Sequence, residues 1–179
     1  MTDQEIFQMA DQAGFTHAAV IPADRLEFDP GLRKYCEENL CGNYGKNYSC
    51  PPFCGTPEEM RARTEKYKRA WIFQTIGDVG SWENQNSIKE VRDFHNRSSR
   101  SLIGSLREKG MKGLAMLAGP CAACEVCMGF NGKPCCHPEE VPSCISAYCM
   151  KAEKMAEDAG LEYWCGEGKV ACFSLYLTE

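Results

Sequence analysis

The stretch Leu114-Ala115-Met116-Leu117-Ala118-Gly119-Pro120-Cys121-Ala122-Ala123-Cys124-Glu125-Val126-Cys127 passes from five apolar residues straight into a cysteine run. A short continuous apolar run bounded by turn residues reads as a buried strand, and Gly119-Pro120 ends it. Three thiols at two-residue gaps follow at once. The strand therefore delivers a ligand-rich loop to one end of a sheet. This decides the architecture: an α/β or α+β sandwich in which a rigid sheet holds reactive loops at strand ends.

Working outward, Ile88, Val91, His95, Ser98, Leu102 and Leu106 stripe one face of a long helix from about Ser87 to Lys109, which Gly110 stops. Ala70 to Ile76 reads as the strand before it, and His17 to Ile21 as an earlier one. Thr2-x-x-Glu5 and Thr56-Pro57-Glu58-Glu59 are helix starts of the capping-box kind, the second with Pro at the first helical position. Downstream, Ser143 is expected to cap a helix with the stripe Ile145, Tyr148, Cys149, Ala152, Met155, Ala156 and Ala159. Leu161–Cys165 and Val170–Leu177, joined by Gly166-Glu167-Gly168-Lys169, read as a closing β-hairpin. The expected order is α-β-α-β-α-β-α-β-β. It makes one domain over residues 1–179, a mixed sheet with flanking helices, with cysteine-rich loops at about 33–55 and 119–142.

The chain has 179 residues, 13 of them cysteine and only three histidine. Hydrophobic residues at 44% and charged residues at 25% are ordinary for a folded domain and exclude a disordered or fibrous chain. No apolar run approaches the roughly 20 residues that span a bilayer, and the acidic N-terminal segment does not read as a secretory signal. A cytoplasmic, reducing setting is expected, where clustered cysteines bind metal more often than they pair as disulfides. A net charge of −5 argues against nucleic-acid binding. Pro57 to Lys112 is nonetheless basic, with 12 Lys/Arg against 8 Asp/Glu, and contains no cysteine. It reads as a solvated helix face, or as a docking face for an acidic redox protein partner.

Two cysteine groups carry chemistry. In Cys121-x2-Cys124-x2-Cys127-x7-Cys135 the thiols can turn toward a common centre. Bacterial iron–sulfur runs open with this same triple spacing. Zinc sites more often show two Cys-x2-Cys knuckles, or histidine, at longer separations. Gly129, Gly132 and Pro134 suit a loop that wraps a bulky centre. The second group is Cys36-x4-Cys41-x8-Cys50-Pro-Pro-Phe-Cys54, in a turn-rich segment of low helix and strand propensity. Ordering such a segment costs about 1–2 kcal/mol per residue, and a four-thiolate centre can supply that ordering.

These blocks carry a resemblance. Cys36-x4-Cys41-x2-Tyr44-Gly45-x2-Tyr48-x-Cys50-Pro51-Pro52 is one; Gly119-Pro120-Cys121 through Cys135, then Pro138, Pro142-Ser143 and Ala159-Gly160-Leu161, is the other. Together they resemble the predicted metal-binding family numbered 2284 among domains of unknown function. The resemblance implies that Cys36, Cys41 and Cys50, and separately Cys121, Cys124, Cys127 and Cys135, bind metal. It implies no established reaction. Cys136 stands where the family tends to have Arg, and Cys144 falls where the family pattern resembles Pro-Ser-Met-Glu-Ala.

Five further cysteines extend the candidate set. Cys136, Cys144, Cys149, Cys165 and Cys172 are lower-ranked ligands that could form a third site, Cys165 and Cys172 as diagonal neighbours on the expected hairpin. Cys149 also reads as a core thiol, and Cys144 as a thiol in the first turn of its helix. His137 lies within reach of a centre as ligand or donor, whereas His95 reads as core. Tyr44, Tyr48 and Trp164 are candidate shields against water. The expected function is electron transfer by two 4Fe–4S clusters, or by three if the extra thiols form one more. The alternatives are an iron–sulfur enzyme whose cluster on Cys36, Cys41 and Cys50 keeps one iron open beside Cys54, and a structural zinc module.

Overall fold

The computed structural model describes residues 1–138 and 141–179. Positions 139–140 of the second cysteine loop lie outside the described residues. The strands are β1 (His17–Pro22), β2 (Arg69–Asp78), β3 (Gly113–Leu117), β4 (Ser143–Cys144) and β5 (Lys169–Thr178). They form one mixed sheet in the order β1-β2-β5-β3-β4. The first three pairings are antiparallel, and β3 with β4 is parallel.

Period-two alternation sends neighbouring side chains to opposite faces, and each face has its own apolar layer. Trp71, Phe73, Leu117 and Tyr176 meet α1 (Asp3–Gln12) through Ile6 and Ala10, and α4 (Gln85–Glu108) through Leu102, Ile103 and Leu106. On the other face Ala70, Ile72, Met116, Leu175 and Leu177 are covered by Met60 of α3 (Pro57–Ala62) and Met155 and Ala156 of α5 (Ala152–Asp158). Burying each of the larger side chains contributes about 1.5–3 kcal/mol. A short α2 (Arg33–Glu37) stands in the first cysteine segment. Both capping boxes form: Thr2 with Glu5 and Thr56 with Glu59 exchange side-chain and backbone hydrogen bonds.

Two expectations are corrected. The C-terminal hairpin is absent: β5 pairs instead with β2 along its whole length and with β3 over Leu175–Thr178, and Leu161–Cys165 forms no strand. That segment runs as coil, with Tyr163 stacked on Phe173. The helix expected from Ser143 begins only at Ala152. Ser143 and Cys144 pair with Met116 and Leu117, a tight turn follows, and Cys149 takes a left-handed φ of 56° that interrupts any helix there. The parallel pairing puts the ends of β3 and β4 side by side, so Cys121 and Cys144 emerge at the same end of the sheet.

Candidate metal centre

The second cysteine segment surrounds a cavity of about 20 Å³, lined by Cys121, Cys124, Cys127, Cys135, Cys136 and His137. That is room on the order of one water-sized body. Tyr48, expected as a shield, lines it too. Cys124 Sγ stands 3.4 Å from Cys136 Sγ, and these sulfurs and a His137 ring nitrogen lie within 4.8 Å of one another. Contact with Cys136 pushes the Cys124 thiol up, with burial and the nearby Cys121 and Cys135 adding to the rise. Cys135 Sγ accepts the His137 backbone N–H at 3.4 Å, and Arg100 donates toward Cys121 Sγ at 3.9 Å.

The first cysteine segment folds against this loop. Asn47 and Ser49 form the join: the Cys121 N–H donates to Ser49 Oγ at 2.7 Å, and Asn47 Nδ2 donates to the Cys121 carbonyl at 3.0 Å. Ser49 in turn donates from its hydroxyl and its backbone to Asn47 Oδ1, at 2.8 and 3.0 Å. Ser49 Oγ is also 3.8 Å from Cys50 Sγ. One buried hydroxyl therefore separates a thiol of the first group from the backbone of the second. The Tyr48 hydroxyl donates to the Lys133 carbonyl at 2.7 Å, and Gly129 packs directly under the Lys46 carbonyl.

Within the first group Cys36 lies on α2, Cys41 in an exposed turn, and Cys50 and Cys54 are buried. Burial pushes the Cys36 thiol up to about 11, with Cys144, Cys149 and Cys41 adding to the rise and Arg33 opposing it. Cys50 is pushed up to about 12, chiefly by burial; the Ser49 hydrogen bond opposes this, while Cys144, Cys41 and Cys54 add to it. Both are protonated at neutral pH, so a metal entering here must displace protons. The donors are soft sulfurs with one imidazole, a set that suits iron–sulfur clusters or zinc and not calcium or magnesium.

Residues 19–178 match the family described as predicted metal-binding protein, DUF2284. The chain belongs to this family. Neither the curated proteins nor the solved structures contain a match to it.

In this DUF2284 member the remaining expected residues divide sharply. Cys136 and His137 join the second group, whereas Cys144 and Cys149 lie beside the first. Cys144 sits on β4, so no helix dipole acts on it; burial pushes its thiol up. Cys149 is buried, as a core thiol would be, but in a turn. Cys172 faces Thr75 across β5 and β2, and Cys165 Sγ reaches the Glu162 carbonyl at 3.5 Å. With the hairpin gone, the basis for grouping these two is gone as well. Trp164 packs against exposed Trp82 in a tilted arrangement with ring centroids 4.4 Å apart, and does not line the thiol cavity.

Sequence reasoning missed Asn47, Ser49 and Asn96. Asn96 on α4 donates to the Ala118 carbonyl at 2.7 Å and accepts the Ala118 N–H at 3.0 Å, which fixes the backbone just before Gly119-Pro120-Cys121. The only trace in the sequence is a polar residue one place from the apolar stripe of a helix. No helix among the described residues is long and apolar enough to cross a membrane.

Proposed function

We propose that this protein is an iron–sulfur electron carrier. One 4Fe–4S cluster is held by Cys121, Cys124, Cys127 and Cys135, and a second by Cys36, Cys41 and Cys50 with a fourth thiol from their surroundings. The observation that carries this reading is the single Ser49 hydroxyl between Cys50 and Cys121. Two redox centres at that separation exchange electrons readily. When bound, the clusters supply one-electron chemistry. The chain supplies thiolates, a shield in Tyr48, and N–H donors to sulfur from Arg100 and His137. Arg92 and Arg100 of α4 lie beside Gly119 and Cys121, the place where an acidic redox partner would dock.

The reading predicts a brown protein with acid-labile sulfide, and midpoints in the negative part of the roughly −700 to +450 mV range. Anaerobic purification followed by iron, zinc and sulfide analysis tests it, and a midpoint above zero counts against low-potential transfer.

A second reading, a structural zinc site, is favoured by the close Cys124, Cys136 and His137 trio. Two sulfurs 3.4 Å apart suit one ion better than a cube, since each thiolate of a cube binds a different iron. This reading predicts a colourless protein with zinc and no labile sulfide.

A further inference from the structure

We propose that Cys144 is the fourth sulfur ligand of the first-segment centre, with Cys36, Cys41 and Cys50, and that Arg33 holds Cys54 outside it. The proposal rests on reading the first segment as a metal centre.

The backbone brings the two parts together. The Asp29 N–H donates to the Cys149 carbonyl at 2.8 Å and the Lys151 N–H to the Glu27 carbonyl at 2.9 Å, around an antiparallel bridge between Phe28 and Met150. The chain entering α2 is thereby laid along the turn that follows β4. Cys36 on α2 comes to 4.0 Å from the Ser146 carbonyl, and the Ala147 N–H of the same turn donates to Cys144 Sγ at 3.4 Å. Both sulfurs therefore reach the same tight turn. That N–H is placed to donate to the sulfur of a ligating cysteine.

Arg33, three residues before Cys36, settles which thiol is left out. Its guanidinium donates to the Ala147 carbonyl at 2.9 Å and reaches Met60 Sδ at 3.7 Å and Cys54 Sγ at 4.0 Å. What distinguishes Cys54 is its place inside the buried apolar layer with Met60, which Cys144 only borders, with the guanidinium filling its remaining polar side. The sulfurs share one neighbourhood: Cys144 and Cys41 act on both Cys36 and Cys50, while Cys54 acts on Cys50 and Cys144, so it is the Arg33 contact that sets Cys54 apart. Cys36, Cys41, Cys50 and Cys144 make four soft donors for a thiophilic centre, an iron–sulfur cluster or a zinc ion.

The test uses the full chain purified anaerobically with its metal. Iron and zinc per chain are measured for wild type and for Cys36→Ser, Cys144→Ser and Cys54→Ala. The expected result is that Cys36→Ser and Cys144→Ser lose the same share of metal while Cys54→Ala keeps it. Loss in Cys54→Ala with retention in Cys144→Ser overturns the assignment alone. Retention in Cys36→Ser overturns the metal reading of the segment and the assignment together. Because Cys144→Ser removes a buried group at a sheet edge, wild-type protein is also alkylated before and after chelation and its peptides weighed. Labelling of Cys144 that rises several-fold together with Cys36, Cys41 and Cys50 supports the proposal; labelling of Cys144 unchanged by chelation overturns it.

Discussion

Ser49 accepts the backbone N–H of Cys121 at 2.7 Å, so a wholly buried serine of one cysteine segment fixes the first cysteine of the other. Ser49→Ala would leave that N–H without its acceptor and deprive Asn47 Oδ1 of a donor. The expected cost is about 1–3 kcal/mol, with lower metal occupancy of the Cys121–Cys135 site. Urea denaturation and the metal-to-protein ratio check both. An unchanged midpoint would show that the join is not structural.

Gly129 offers a sharper test of loop contact. A Cβ there would run into the Lys46 carbonyl oxygen, whereas one at Gly132 meets nothing nearby. Gly129→Ala should force the segments apart and destabilise by about 1–3 kcal/mol, as overpacking does. Gly132→Ala carries only the strain of its left-handed φ of 64°. The expected order in thermal denaturation and metal retention is wild type, then Gly132→Ala, then Gly129→Ala; a Gly132→Ala variant worse than Gly129→Ala contradicts the contact.

His95 is fully buried, with Nδ1 2.8 Å from Thr75 Oγ1, and burial lowers its pKa from 6.5 to about 4. The unfolded chain takes up this proton first as pH falls. Its neutral ring therefore contributes stability that is present above pH 6.5 and drains away toward about pH 4, on the order of 3 kcal/mol in all. Urea midpoints should fall across this window, and His95→Gln should flatten the slope. An equal slope in the variant assigns the pH dependence to other groups.

Asn96 pairs with both backbone groups of Ala118. Asn96→Leu keeps the approximate volume but orphans an N–H and a carbonyl, at about 1–3 kcal/mol for each group left unpaired. Hydrogen exchange at Ala118 should accelerate while that of central β5 changes only in proportion to global stability. Equal changes at both would mean that Asn96 acts on the whole fold and not on the strand exit.

Much of the scaffold could be read from local pattern. Thr2 and Thr56 cap as their spacing implies, and the buried face of α4 carries His95, Ser98, Leu102 and Leu106. The failures came where non-local pairing overrode local signals. Gly166 and Gly168 resemble a hairpin turn, yet the strand they precede pairs with β2 and β3 and not with the segment before them. Ser143 resembles a helix cap, yet its backbone is taken by β3. At the candidate centre, spacing marked the thiols of the second group, which share a cavity. It could not show that Cys144 lies beside Cys36, because that neighbourhood depends on the bridge between Phe28 and Met150.

The joins that build these sites span long stretches of chain: 72 positions from Ser49 to Cys121 and 110 from Cys36 to Ser146. A ribosome that has released only the first half of the protein exposes Cys36, Cys41, Cys50 and Cys54 with nothing to fold against. Long-range contacts form late, so the thiols stay open to oxidation and stray metal through most of synthesis. The thiols of the first segment therefore reach their final neighbourhood only after residue 147 has emerged.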